Sequence, residues 1–121
     1  MAQVSEWQDI RVVGEEQAEV WMEGDECTLV YFHTDKLVFS VSTLHPGHKS
    51  ALDPGHVGAQ EVGYVIQGVI VMEFPQQKRC VRVRAGQAIF IPEGEPHLFY
   101  NVGPEIAKVV WCTAPHLGRS R

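Results

Sequence analysis

The chain has 121 residues, 45% of them hydrophobic and 21% charged, a balance that suits one folded core and excludes both extended disorder and a second domain of ordinary size. Its formal net charge of -5, with no run of Lys or Arg, argues against a nucleic acid as partner. Met1 to Trp7 lack a basic stretch followed by an apolar one, and no segment offers the ~20 apolar residues of a membrane span, so a cytoplasmic protein is expected.

In chain order, residues 1–25 read as N-terminal strands. Ile10, Val12 and Val13 have strand character, while Glu15 to Met22 suit either a helical turn or a strand, and the strand is preferred. Strand-like runs rich in β-branched and aromatic residues follow at Cys27 to Phe32, Lys36 to Leu44, Glu61 to Ile66 and Val69 to Phe74. Four more lie at Arg79 to Arg84, Ala88 to Ile91, His97 to Tyr100 and Ile106 to Thr113. Turn residues punctuate them, among them His45-Pro46-Gly47, Asp53-Pro54-Gly55, Gln67-Gly68 and Glu93-Gly94. Many short strands without a long amphipathic helix predict an all-β sandwich or closed barrel, one domain over 1–121 with its core in 36–113. Trp111, Phe39, Phe90 and Phe99 are expected to fill that core. Arg82 and Arg84, alternating with Val81 and Val83, are expected on a wet face. Cys27, Cys80 and Cys112 are an odd number without CxxC spacing, so they read as structural thiols and not as a disulfide framework or a zinc site.

Of six histidines, His45, His48 and His56 fall within a dozen residues. Imidazoles beside a carboxylate make a mixed site suited to iron, manganese, nickel or zinc. The stretch Gly86-Gln-Ala-Ile-Phe-Ile-Pro92-Glu-Gly94-Glu-Pro-His97-Leu-Phe-Tyr-Asn101 resembles the second sequence motif of the cupin superfamily, G-x5-P-x-G-x2-H-x3-N, at every specified position. Period-two alternation after the Pro92–Gly94 turn sets His97, Phe99 and Asn101 on one face. The first cupin motif, G-x5-H-x-H-x3-4-E-x6-G, is met in part between Gly47 and Gly68. Glu61 and Gly68 fit. Counting back from Glu61 makes His56 the second histidine, whereas counting forward from Gly47 makes Asp53 the first. One extra residue in the Asp53-Pro54-Gly55 turn reconciles the two counts and turns both Asp53 and His56 inward.

The resemblance implies a double-stranded β-helix, or jelly-roll barrel, of the small single-domain cupin type. It further implies one divalent transition metal (Fe, Mn, Ni or Zn) held by His56, Glu61, His97 and Asp53, with Glu61 alternatively a catalytic base. His45, His48 and Gln60 are the alternative residues to complete the site from the adjoining loop or strand. Such a site suits a metal-dependent enzyme on a small oxygenated metabolite, either a non-haem dioxygenase or an isomerase or lyase. The other reading is a non-catalytic small-molecule sensor, metal-free or not, favoured by the missing first histidine. A homodimer is also implied, with Trp7, Val12, Val20 and Trp21 as the expected apolar contact.

Overall fold

The computed structural model describes residues 8–115. Nine strands carry the fold: β1 (Glu19–Glu23), β2 (Glu26–His33), β3 (Val38–Leu44), β4 (Gln60–Gln67), β5 (Val69–Phe74), β6 (Arg79–Arg84), β7 (Ala88–Ile91), β8 (Leu98–Asn101) and β9 (Ala107–Ala114). They form two antiparallel sheets, a six-stranded one ordered β1-β2-β3-β9-β4-β7 and a three-stranded one ordered β6-β5-β8. This is an all-β jelly-roll sandwich.

Alternation along each strand decides which side chains enter the space between the sheets. In β9 it buries Ala107, Val109, Trp111 and Thr113, and in β5 it buries Ile70, Met72 and Phe74. Together with Leu44, Val65, Val83, Ile91 and Phe99 these make one continuous core. The segment after β3 runs beside β8: Ser50 N–H donates to the Phe99 carbonyl at 2.9 Å, and Ala51 N–H donates to Glu23 O at 3.0 Å. Chain 49–53 thus ties the end of β1 to the small sheet and walls one side of the interior.

Three expectations are corrected. Of residues 8–25 only Glu19–Glu23 is a strand. Ile10 and Val12 are 95% and 93% exposed, because among the described residues β1 forms the edge of the large sheet. Trp21 does not belong to an outward apolar contact: it alternates with exposed Val20 and Met22, lines the interior cavity, and donates from Nε1 to Glu19 Oε1 at 2.8 Å. Phe90 is 54% exposed, since its neighbours Ile89 and Ile91 are the inward pair of β7, and Phe39 sits half-buried on the outer phase of β3. Trp7 lies outside the described residues.

Candidate metal centre

The interior is apolar over much of its volume and polar elsewhere. A cavity of about 350 Å³ opens there, within the range of small-ligand sites. Asp53, His56, Glu61 and His97 all line it.

Local backbone chemistry brings them together. Asp53 and His97 are antiparallel bridge partners, with Asp53 N–H donating to His97 O at 2.7 Å and His97 N–H to Asp53 O at 2.9 Å. Directly opposed residues of an antiparallel pair project to the same side. After Asp53 the chain turns: Gly55 N–H donates to Asp53 Oδ1 at 2.9 Å. Gly55 itself has φ +93, and a Cβ there would lie 2.6 Å from Gly94 C, so the residue between the two loops must be glycine. Gly94 N–H donates to His56 O at 3.0 Å and Gly58 N–H to Glu93 Oε2 at 3.0 Å. The turn before His97 is therefore stitched to the turn that carries Asp53 and His56. Glu61 enters from β4, where its phase is that of buried Gly63 and Val65.

One ligand atom each from Asp53, His56 and Glu61 falls within 4.8 Å of the others. His56 Nε2 lies 3.4 Å from Asp53 Oδ2, while His97 Nε2 lies 3.2 Å from Glu61 Oε1 and 3.7 Å from Asp53 Oδ2. These are separations that an ion with bonds of about 2.0–2.2 Å spans. Glu61 Oε1 is buried and makes no hydrogen bond despite its closeness to His97. The two groups approach without aligning donor to acceptor, as expected of atoms that face a common point. On its other edge His97 Nδ1 lies 2.9 Å from the Glu95 carbonyl, an acceptor only, so Nδ1 carries a proton and Nε2 is the nitrogen left to bind. The donor set of two imidazoles and two carboxylates fits a divalent first-row ion.

Electrostatics agree. Burial alone would lower the pKa of His97, but Glu61, the Glu95 carbonyl and Asp53 together push it up to about 9. Burial likewise pushes Asp53 up, yet His56, His97 and the Gly55 N–H outweigh it and hold the carboxyl below its ordinary value. Asp53 raises His56 against the opposing effect of burial. A divalent cation would compete with protons for these nitrogen and oxygen atoms.

His45 and His48 are exposed, stack loosely on each other with ring centroids 6.1 Å apart, and stay outside the cavity. Gln60 is exposed on the opposite phase from Glu61. Cys112 lies on the outer phase of β9 and does not line the cavity either. Asn101, on the His97 face, is spent on structure: Nδ2 donates to the carbonyls of Leu44 and Glu105, both at 2.8 Å, and Oδ1 accepts from Gly103 N–H at 2.9 Å.

Sequence reasoning missed one conspicuous group. Glu26 is 6% exposed and lines the cavity. It directly precedes the apolar run that marks β2, so it reads as a turn residue. The phase of Thr28 and Val30, both buried, is the signal that would have found it.

The family model of the cupin domain matches residues 40–113. The chain belongs to the cupin family. Among curated proteins, none matches this cupin. Solved structures resemble it in fold. A predicted oxalate decarboxylase from Thermotoga maritima aligns at 19% identity with a TM-score of 0.73, covering 86% of this chain and 98% of that one. The polyketide cyclase RemF from Streptomyces resistomycificus gives 21% identity and a TM-score of 0.71 over 88% of this cupin and 80% of the other chain. The cupin domain of an XRE family transcriptional regulator from Enterobacter cloacae gives 19% and 0.67 over 80% and 99%. Proteins so different in role on one barrel show that fold does not settle function.

Proposed function

We propose that this cupin is a metal-dependent enzyme acting on a small oxygenated molecule, with Asp53, His56, Glu61 and His97 as the ligands of one divalent transition metal. The observation that carries the reading is the gathering of ligand atoms of Asp53, His56 and Glu61 within 4.8 Å of one another in the cavity, with His97 Nε2 beside Glu61 and Asp53 and its ring oriented by the Glu95 carbonyl. A bound ion would supply Lewis-acid polarisation of a carbonyl or water, or redox chemistry if it is iron. The chain itself does the rest. Phe99 and Trp111 exclude water from one wall, and Glu61 lines the cavity as the carboxylate to accept a proton when it is not fully engaged as a ligand. Three free cysteines suit a reducing compartment.

The test is elemental analysis of protein purified without tag or chelator, beside a His56→Ala, His97→Ala variant. Near one equivalent of metal in the wild type and none in the variant is expected, and the element separates redox from Lewis-acid chemistry. Wild type that stays empty after incubation with iron, manganese, nickel and zinc would refute the reading. It would favour the second one, a metal-free binding module, which draws on Asp53 standing where the family motif has histidine and on the fold shared with a regulator's cupin domain.

We further place a homodimer contact on the outer face of the six-stranded sheet, where Val62, Tyr64, Ile66 and Phe90 are each about half exposed and no charged side chain separates Val62 from its cross-strand partners Phe90 and Cys112. Sedimentation equilibrium should show a dimer that Val62→Glu with Phe90→Glu converts to monomer; a wild-type monomer would refute it.

A further inference from the structure

Away from the four ligands the cavity has a second polar surface that the metal reading leaves unexplained. Glu26 enters it from β2, beside the hydroxyls of Thr28, Ser40 and Ser50. Ser42 Oγ donates to Glu26 Oε2, and Ser42 Oγ lies 3.1 Å from Thr28 Oγ1. With Oε2 engaged as acceptor, the proton of the neutral acid falls to Oε1. Trp111 is 6% exposed and contributes to the wall of the same cavity. Among the described residues no lysine or arginine lines the cavity, whereas Glu23, Glu26, Asp53 and Glu61 all do.

We propose that Glu26, with the hydroxyls of Thr28 and Ser40 beside it, forms a second ligand subsite, which hydrogen-bonds to oxygens of an uncharged hydroxyl- or carbonyl-bearing molecule of monosaccharide size and excludes phosphate esters. The subsite rests on reading the cavity as a small-molecule site, and it stands whether or not a metal occupies the other end. A phosphate dianion would enter a cavity with four carboxyl groups and no fixed cation beyond the imidazoles, while the charge of a divalent ion is already matched by Asp53 and Glu61. A neutral polyol or hydroxy-carbonyl compound meets a donor at Glu26, hydroxyls at Thr28 and Ser40, and the aromatic side chains of Phe99 and Trp111.

The protonation of Glu26 supports this geometry. Burial pushes it up most; Ser42 and Thr28 pull it down, Glu23 and Glu61 raise it, and the balance is about 7. From β1 it faces Glu23 and from β4 Glu61. β3 and β9 bring only hydroxyls, Val38 and Trp111 into the cavity, their titratable Lys108 and Cys112 lying on the outer phase, and Asp53, His56 and His97 close the remaining side. Ligand affinity should therefore fall as pH rises through about 7, when the donor becomes an anion.

The experiment is ligand-observed NMR with D-fructose and with its phosphate monoester as probes, on zinc-treated protein and on chelator-treated protein. Wild type should bind D-fructose and not the ester, and its affinity should drop roughly 30-fold from about pH 6 to about pH 8.5, the change in the neutral fraction of the acid. Glu26→Gln, a donor at every pH, should bind equally at both. Glu26→Leu should lose binding while unfolding cooperatively and taking up as much zinc as wild type. No fructose binding by wild type, ester binding as tight as that of fructose, or a Glu26→Gln variant with the wild-type pH dependence would each overturn the proposal. Fructose binding with this pH dependence in protein that takes up no zinc would sink the metal reading and leave the subsite standing.

Discussion

Replacing Glu26 by glutamine tests how the interior handles its buried acid. In the folded protein the carboxyl is held at about 7 against an ordinary value of 4.5, so the native state binds the proton more tightly than the unfolded chain does. Below about pH 4.5 the acid is neutral in both states and costs nothing. As pH rises towards 7 the unfolded chain releases the proton first, stability falls, and above about 7 the full penalty of a buried anion is present. At about 1.4 kcal/mol per pH unit the penalty is about 3 kcal/mol, or roughly 10 °C in Tm for a domain of this size. Glutamine keeps the acceptor for Ser42 and cannot ionise. Urea unfolding of chelator-treated protein, followed by tryptophan fluorescence, should give nearly equal stabilities at about pH 4 and a glutamine variant more stable by about 3 kcal/mol at about pH 8. His97 titrates in both proteins and cancels in the difference. Two stability curves that run parallel from about pH 4 to about pH 8 would refute the reasoning, because they would mean that Glu26 reaches solvent or a cation when it ionises.

Other outcomes follow from packing and hydrogen bonding. A Cβ at Gly63 would collide with Cζ3 of Trp111, in a ring already packed against Phe99 with centroids 5.6 Å apart; Gly63→Ala should cost about 1–3 kcal/mol by overpacking, read by calorimetry, and an unchanged Tm would show that the ring has room to move. Asn101→Ala leaves two carbonyls and one N–H without their partners and should destabilise by about 3 kcal/mol or more, whereas a loss below about 1 kcal/mol would mean that water replaces the amide. Zinc should raise the Tm of wild type and leave a His56→Ala, His97→Ala variant unmoved; equal rises would place the ion elsewhere.

Much of the barrel was legible before any coordinates, since β-branched runs between Gly, Pro, Asn and Asp turns specify strands locally, and the eight runs from Cys27 onward match β2 to β9 within a few residues. The N-terminal strands failed because strand character at Ile10 and Val12 needs a neighbouring strand to accept the backbone, and among the described residues none lies beyond β1. Phe39 and Phe90 failed for a related reason: a sheet apolar on both faces gives alternation but no sign, so the sequence alone does not tell inside from outside.

The site divides along the same line. His97 is fixed by local geometry, a Pro–Gly turn feeding a strand, and can be read from the chain alone. Asp53 is not, since two spacings disagree by one residue, and what settles its direction is the bridge to His97, a contact between residues far apart in sequence. Glu26 is harder still, because a polar cavity inverts the rule that inward residues are apolar, and only the pairing of β2 with β3 shows that Glu26 and Ser42 point into the same interior. Spacing along one chain determined the strands, the turns and the motif histidine. Which carboxylates meet those histidines, and which acid lines the rest of the cavity, depended on register between strands, a quantity set by the packing of the whole sheet and not by any stretch within it.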